Sequence, residues 1–418
     1  MDSENEFYEY PGIRDKYDIL VVGAGPAGSI AAREAARKGV SVLVLDRRKE
    51  LGSPVRCGEG LGKKHVEHMG LKLPPHAISA EINGARVIAP NLKDDIIIKT
   101  PETKGYVLDR KVFDKELAKD AARAGASVLC KAEVYGLVKE DGRISGVKYY
   151  FDGKERIAHA NVVIAADGAE SVLARLAGMR DATATLYDTD YGYEYEMVNV
   201  KLQDNGKDYS DLIELFFGSR WSPRGYQWIF PKGKDSANVG VGIGGLEKPN
   251  AVYYLHKFLA ADGIKHRFKD ASIVAVKGGA IPVGAPIKEF ALDGFMVVGT
   301  AAHQVDPIHG GGIGLAMNAG RIAGTVAAEC VKDNKTSKKE LDRYKDLWYA
   351  EEWKKFSKRL TLRKVLEKFN DDDFNVIISS LDSKDMELTL NGDFGPVVKK
   401  VLVKRPQLLK VLTALVNM

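Results

Sequence analysis

Cysteine is scarce in this chain, and its scarcity excludes several kinds of protein. The 418 residues include only three cysteines, Cys57, Cys130 and Cys330, which are odd in number and far apart. They do not suit a disulfide framework, and they cannot supply the four thiolates that an iron–sulfur cluster usually takes. The chain is therefore expected to work in a reducing compartment, the cytoplasm.

Long apolar runs are also missing. No window approaches about 18 uninterrupted apolar residues, and the segment 1–20 opens acidic, so we expect neither a membrane-spanning helix nor a signal peptide. The net charge of +5 equals the five basic residues of segment 396–418, which has no acidic residue. A neutral body argues against nucleic acid as a partner. The basic, apolar segment 397–418 is interpreted as a peripheral contact with the inner face of the membrane.

A nucleotide-binding pattern stands near the start, in "YDILVVGAGPAGSIAAREAARKGVSVLVLDRR". Gly23, Gly25 and Gly28 have the dinucleotide spacing: the first permits a tight turn, the second lets the backbone approach a pyrophosphate, and the third lets helix and strand pack closely. Asp46 ends the second strand, where an acid can bind the ribose hydroxyls, and Arg47 beside it would lie near the adenine. The alternative, a glycine turn used only for packing, leaves Asp46 unexplained.

Two later segments favour FAD over NAD as the dinucleotide. The glycine-rich "IHGGGIGLAM" can begin a helix whose free backbone N–H groups face a ligand, and such a positive end favours a reduced flavin. The segment "AADGAES" places Asp167 in an Asp-Gly turn after a strand, as a third contact to an elongated cofactor.

The pattern as a whole predicts a mixed α/β fold. From about residue 186 to residue 276, polar and apolar residues alternate between turn signals, which is typical of an antiparallel sheet with one buried face. We predict a Rossmann-like FAD-binding domain with an inserted antiparallel-sheet substrate domain and a C-terminal helical region. The predicted segments are 1–75, 100–180 and 280–335 for the FAD-binding domain, 76–99 and 181–279 for the substrate domain, and 336–418 for the helical region.

The order of the motifs resembles that of the geranylgeranyl reductase family of flavoproteins. "GAGPAG", "GSPVRCGEGL", "YVLDRKVFD", "AADGAES", "GYQWIFPKG" and "DPIHGGGI" follow one another over nearly the whole chain. The resemblance implies a p-hydroxybenzoate hydroxylase-like fold and an FAD-dependent reductase. Its substrate would be the C=C bonds of geranylgeranyl chains in archaeal ether phospholipids or their precursors, reduced by a hydride from reduced flavin plus a proton. Reduced ferredoxin or NAD(P)H would be the external electron donor.

The same resemblance implies particular FAD contacts. They fall at Ala27, Asp46, Cys57, Gly58, Gly60, Arg110, Gly312 and Ile313, with the backbone near Ala132 beside the adenine. One position departs from the family, which usually has Gly-Asp-Ala-Ala where this chain has "GTAA" with Thr300. A threonine hydroxyl can still donate and accept a hydrogen bond, so FAD is expected to bind.

Two groups of side chains are candidates for the chemistry. Cys57, which by resemblance reaches the reactive face of the flavin, is interpreted as positioning the substrate or shuttling the proton; alternatively it is a small residue that fills a turn. Tyr226, Trp228 and Phe230 alternate, so a strand would present all three on one face. They would form a wall that binds a prenyl chain and stabilises developing cationic character, or else an aromatic core stripe.

Histidines beside the second glycine run do not predict a metal site. His303, Asp306 and His309 have poor spacing for a metal ion, so none is assigned. Two other functions stay open at this point, an FAD- and NADPH-dependent monooxygenase and a protein like the electron-transfer flavoprotein–quinone oxidoreductases.

Overall fold

Two large sheets organise the chain in the computed structural model, which describes residues 13–385 and 395–406. The strands are β1 (Lys16–Val22), β2 (Val42–Leu45), β3 (Gly60–Gly62), β4 (Ile78–Ile82), β5 (Gly84–Ile88), β6 (Asp95–Lys99), β7 (Gly105–Leu108), β8 (Ser127–Leu129), β9 (Glu133–Glu140), β10 (Arg143–Phe151), β11 (Lys154–Ala165), β12 (Thr189–Val198), β13 (Gln203–Asp204), β14 (Lys207–Asp208), β15 (Leu212–Phe217), β16 (Tyr226–Pro231), β17 (Ala237–Gly244), β18 (Ser272–Pro282), β19 (Ala291–Leu292) and β20 (Phe295–Val297). The helices are α1 (Pro26–Arg37), α2 (Lys63–His68), α3 (Arg110–Arg123), α4 (Val172–Leu176), α5 (Ala251–Leu259), α6 (Ile313–Lys332), α7 (Lys338–Leu341), α8 (Arg343–Trp348), α9 (Lys354–Leu366), α10 (Asp371–Ser380) and α11 (Gly395–Lys404).

The first sheet carries the predicted nucleotide-binding unit. Its strands run in the order β19-β20-β11-β1-β2-β8, and the neighbours from β20 to β8 are parallel. All four residues of β2 are buried, as an unbroken apolar run predicts for a strand covered on both faces. Because parallel strands end at one edge, Gly23 after β1 and Asp46 after β2 lie at the same edge of the sheet.

The second sheet is antiparallel except for one pair. Its order is β18-β12-β17-β16-β15-β5-β6, and only β15 and β5 run parallel. The predicted alternation appears in β15, whose burial alternates residue by residue. The prediction of one buried face is wrong for β17, which is buried at all eight positions. The apolar side chains Val239, Val241 and Ile243 pack in one cluster with α5, while the indole of Trp228 covers the glycines on the other face.

Helices follow the sheets, as the pattern predicts for the C-terminal region. A π turn at Tyr349–Trp353 joins α8 to α9. On α9, the buried Arg363 donates a hydrogen bond to the Val283 carbonyl at 2.7 Å and thereby fixes this helix against the second sheet. Within residues 13–385 and 395–406, no helix has both the length and the hydropathy that a bilayer crossing requires.

Part of the basic segment interpreted as a membrane contact can be located. In α11, Lys400 pairs with Asp382 at 3.2 Å, so this cation is already neutralised by the protein. Residues 407–418, including Lys410, lie outside the described residues. The membrane contact stays a prediction, as do the domain boundaries.

Candidate active site

A single cavity of about 2550 Å³ is lined by both large sheets and by α9 and α10. Nearly every residue predicted to bind cofactor or substrate lines it: Gly23, Gly25, Ala27, Asp46, Arg47, Cys57, Gly58, Gly60, Arg110, Ala132, Asp167, Tyr226, Trp228, Phe230, Thr300, Gly312 and Ile313. Gly28 is not among them. It packs α1 onto the glycine turn, where a Cβ on Gly28 would lie 1.8 Å from the Gly23 carbonyl oxygen.

The end of the cavity near β1 has the features of a dinucleotide cradle. A Cβ on Gly25 would meet no atom within 4 Å, so the backbone there faces open space at the start of α1. The helix α6 begins directly after Gly312 and directs its free N–H groups toward the same cavity. Asp167 keeps one buried carboxylate oxygen, Oδ1, without a hydrogen-bond partner in the described part of the chain. Together with Thr300, these groups fit the phosphates and hydroxyls of FAD.

Asp46 has a partner that sequence reasoning missed. Its carboxylate accepts hydrogen bonds from the Ala24 N–H at 2.7 Å and from the Arg48 guanidinium at 2.8 and 2.7 Å. Burial raises the pKa of Asp46, but Arg48 and the backbone outweigh it and hold the pKa below its usual value. The neighbouring Arg47 is half exposed and lies 3.7 Å from Glu170. No strand period indicates the pair, because Asp46 and Arg48 follow the end of β2 at Leu45.

The Cys57 loop, residues 53–59, lines the same cavity as the cradle. The thiol sulfur accepts a hydrogen bond from the Glu59 N–H at 3.2 Å. Burial raises the pKa of Cys57 above its usual value although Arg110 opposes the shift, so the thiol is protonated at neutral pH. The guanidinium of Arg110 is itself held by Asp114, at 2.7 Å.

Glu59 ties this loop to the second sheet, a role that was not predicted although the residue stands in the "PVRCGEG" motif. Its side chain is 1% exposed, and its Oε2 atom lies 2.7 Å from Lys232 Nζ and 2.8 Å from Lys277 Nζ. Asn238 donates to the same oxygen at 2.8 Å, and the Arg110 N–H donates to Oε1 at 2.9 Å. Burial raises the pKa of Glu59, but the two lysines outweigh it, and the pKa lies below its usual value. This carboxylate is therefore ionised and fully paired.

A ladder of aromatic rings runs along the cavity wall. Neighbouring ring centroids are 5.8 to 6.1 Å apart in the order Phe374, Phe217, Tyr226, Trp228 and Phe230. The last ring comes within 3.3 Å of the position that a Cβ on Gly58 would take, so the ladder reaches the Cys57 loop. The three rings predicted to share one face of a strand do so on β16.

The Trp228 ring can lie against the sheet because β17 has glycine beneath it. A Cβ on Gly240 would lie 2.4 Å from the indole Cζ2 atom and 2.5 Å from the Glu194 Cβ atom. The indole N–H donates to Glu194 Oε2 at 3.0 Å. A side chain at position 240 would therefore displace the ring from the wall.

Beyond Tyr226 an arm of the cavity is lined by many apolar side chains. This arm lies between the strands β5, β6 and β15 and the helices α9 and α10, and its lining includes Ile96, Ile98, Leu215, Leu362, Leu366, Phe369, Ile377 and Leu381. Such a surface suits a hydrocarbon chain.

Cations surround the opening of the cavity near α2 and α9. Lys64, Lys354 and Lys355 are exposed and line the cavity, with Lys358 and Arg359 beside them. Burial lowers the pKa of Lys64, and the charges of Lys355 and Arg359 lower it further. These cations are thus close enough to repel one another, and an anion bound among them would relieve that repulsion.

The histidines beside the glycine run make bonds within the protein. His303 Nε2 lies 3.1 Å from the Ala182 carbonyl oxygen, and His309 Nε2 lies 3.1 Å from Asp306 Oδ2. The His309 carbonyl accepts a hydrogen bond from the Tyr226 hydroxyl at 2.6 Å. Among the described residues, no three His, Cys, Asp or Glu side chains are grouped as a metal site would require.

Two acidic side chains of β12, Asp190 and Glu194, also line the cavity and were not predicted. Burial raises the pKa of Asp190 to about 7 and that of Glu194 to about 8. The signal was present in "DYGYEYE", where the acids alternate with aromatics and so share one face of a half-buried strand.

Comparison with known proteins agrees with this geometry. A family model described as an FAD binding domain matches residues 16–216, and one described as a geranylgeranyl reductase catalytic domain matches residues 188–281. The chain is 39% identical to the digeranylgeranylglycerophospholipid reductase of Methanocaldococcus jannaschii, over 95% of this chain and 98% of the relative. It is 37% identical to the protein of the same name from Methanocella arvoryzae, over 97% and 100%.

Solved structures share the fold. The crystal structure of a geranylgeranyl bacteriochlorophyll reductase-like protein from Thermoplasma acidophilum superposes with a TM-score of 0.86 at 33% identity, covering 96% of this chain and 99% of that one. A flavin-dependent brominase superposes with a TM-score of 0.72 at 20% identity, covering 92% and 93%. The second likeness concerns the fold alone. The predicted α/β fold and the predicted FAD-binding domain are thereby confirmed.

Proposed function

The chain belongs to the family of the digeranylgeranylglycerophospholipid reductases, and on that premise we propose that it uses FAD to saturate the C=C bonds of geranylgeranyl chains in archaeal ether lipids. One observation carries the proposal: the dinucleotide cradle and the apolar arm belong to the same cavity. The aromatic ladder connects them, so a prenyl chain lying in the arm would reach the Cys57 loop at the edge of the cradle.

The side chains that line the cavity would have different roles in the reduction of an alkene. Bound and reduced, FAD supplies the hydride. An isolated alkene has no carbonyl to polarise, so a proton must be added and one carbon takes on positive character. The faces of Trp228 and Tyr226 would stabilise that charge, while the Cys57 thiol would hold the double bond against the cofactor. Water is kept from the reacting atoms by the apolar arm.

The cations at the opening support a phospholipid as the substrate. With the prenyl chain in the apolar arm, Lys64, Lys355 and Arg359 would lie where a phosphate leaves the cavity. The two ammonium groups suit a phosphate ester, whereas the Arg359 guanidinium already pairs with the buried Asp306 and adds its charge from there. We also propose that reduced ferredoxin or NAD(P)H provides the electrons and that the protein contacts the membrane surface where its substrate lies.

The function can be tested in one anaerobic turnover. FAD-loaded protein reduced with dithionite should transfer its electrons to a geranylgeranyl phospholipid, so the flavin absorption should return while the lipid gains two hydrogens for each flavin reoxidised. Mass spectrometry of the lipid is the readout. A lipid of unchanged mass contradicts the proposal, and a hydroxylated product formed with oxygen and NADPH would indicate a monooxygenase instead.

The role proposed for Cys57, positioning the alkene, predicts a moderate loss of reaction rate when the thiol is replaced. Cys57→Ser should keep a full complement of FAD and slow the single turnover about tenfold, since a smaller, more polar group places the alkene less well. Because the thiol is not the ionising group of the reaction in this proposal, the pH dependence should not change. A variant that reduces the lipid at the wild-type rate would show that Cys57 only fills the turn.

A further inference from the structure

The reduction requires a proton donor in the wall of the cavity, and the structure offers an acid for it. We propose that the carboxylic acid of Glu194 donates the proton to the alkene. This inference rests on the proposed function and adds a catalytic residue to it.

Position is the first reason. Glu194 is 3% exposed and lines the cavity from β12. Its Oε2 atom accepts the indole N–H of Trp228 at 3.0 Å and lies 3.5 Å from the position that a Cβ on Gly58 would take. The acid is therefore next to both the aromatic wall and the Cys57 loop, where the proposal places the double bond.

The second reason is that one carboxyl oxygen of Glu194 accepts no hydrogen bond from the described residues. Glu194 Oε1 is buried and accepts no hydrogen bond in the described part of the chain; its nearest cation, Lys277 Nζ, lies at an ion-pair distance of 3.6 Å, beyond hydrogen-bond reach. A buried polar atom left without a partner is costly, and it is usually explained by a ligand or by catalysis. A protonated carboxyl there can direct its O–H toward the cavity.

Burial keeps the Glu194 carboxyl mostly protonated at pH 7 although two lysines lie near it. Lys277 from β18 and Lys232 after β16 face it and favour ionisation, but both are already paired with Glu59. Burial raises the pKa of Glu194 to about 8 because desolvation, with the negative charge of Glu59, outweighs the lysines. A general acid with its pKa near the working pH is suited to proton transfer.

Other groups are less suitable as the donor. The Tyr226 hydroxyl donates its hydrogen bond to the His309 carbonyl, at 2.6 Å. Asp190 lies four residues back on the same strand, about 13 Å away along β12 and beyond Gly192. Glu194 is the acid that lies beside the Cys57 loop.

The step balances with a hydride from the reduced cofactor. The O–H bond of Glu194 breaks as a C–H bond forms on one alkene carbon, and the other carbon receives the hydride, so the C=C bond becomes a single bond. Glu194 is left as a carboxylate. It regains its proton from water after the saturated product leaves.

The main test compares Glu194→Gln with Glu196→Gln. Glu196 lies on the same strand and 2.9 Å from the same Lys277, but it does not line the cavity. In the anaerobic single turnover, Glu194→Gln should bind FAD and oxidise its reduced flavin on the order of 100-fold more slowly. Glu196→Gln should stay within about threefold of wild type. A wild-type rate in Glu194→Gln overturns the proposal, whereas a wild type that never reduces lipid overturns the proposed function itself.

A second measurement needs no turnover. The infrared difference between FAD-free wild type and Glu194→Gln at pH 7 should contain the C=O band of a buried protonated carboxyl, which Glu196→Gln retains; the band of Asp190, whose pKa is about 7, is common to all three proteins and cancels. In wild type the band should fade as the pH rises through about 8. A difference spectrum without this band would show that Glu194 is ionised at pH 7 and cannot be the donor.

Discussion

Gly25→Val should yield a folded, colourless protein. Gly25 precedes α1 with φ −77° and ψ −175°, an extended backbone that valine adopts without strain, and no protein atom lies within 4 Å of its Cβ position. The valine methyl groups would fill the space that the pyrophosphate needs. FAD binding should weaken by on the order of 100-fold or more, about 3 kcal/mol. Absorption spectroscopy measures the bound flavin, and circular dichroism measures the fold.

Gly28→Ala is the matched control. It adds a side chain to the same turn, but that side chain would clash with the protein backbone and not with the cofactor. Its Cβ would lie 1.8 Å from the Gly23 carbonyl oxygen and 3.1 Å from the Ala166 Cβ atom, so the turn itself must move. This variant should lose stability together with FAD. If Gly25→Val stays yellow, the open space at residue 25 is not the pyrophosphate site.

Glu59→Gln should be among the most destabilising single substitutions in the molecule. The change removes the more deeply buried of the two carboxylates that pair with both Lys232 and Lys277, and leaves Glu196, at 3.4 and 2.9 Å, as their shared partner. Removing one partner of a buried ion pair typically costs about 3–5 kcal/mol. Urea unfolding of the FAD-loaded protein at pH 7 should show a loss of this size, and the loosened Cys57 loop should slow lipid reduction as well.

The pH dependence of this effect has a definite sign. Glu59 has a pKa below its usual 4.5, so its contribution to stability is present above pH 4.5 and is lost as the pH falls through the lowered pKa. The difference between wild type and Glu59→Gln should therefore shrink in acid. Glu50→Gln, which breaks the exposed pair with Lys115, should change little at any pH. Equal losses in the two variants would contradict the claim that burial makes the Glu59 pairs important.

Much of this arrangement could be predicted from local sequence. The unbroken apolar runs of β1 and β2, the glycine spacing and the alternation in β16 each reflect a constraint within a few residues, and the structure has the corresponding strands and turn. The family motifs extended the prediction to residues far apart in the chain, which line the same cavity.

Long-range side-chain pairs were not predictable in the same way. Lys232 and Lys277 are 173 and 218 residues from Glu59, and no pattern in any segment indicates that they meet. The complete burial of β17 has a similar cause, because the ring that covers its glycines belongs to the adjacent strand. The unpredicted acid, Glu194, was visible as a carboxylate on the inner face of a strand, but only packing decides whether such a group stays neutral.

The glycines beneath Trp228 have a consequence for comparing related proteins. In "ANVGVGIGG" Gly240 is required by an indole that another strand supplies, so the two segments must change together. A flavoprotein of this fold with a bulkier residue at the position of Gly240 would have to tilt or lose its ring, and its tunnel would differ in shape. The residue at this position therefore bears on the shape of substrate that such a cavity can admit.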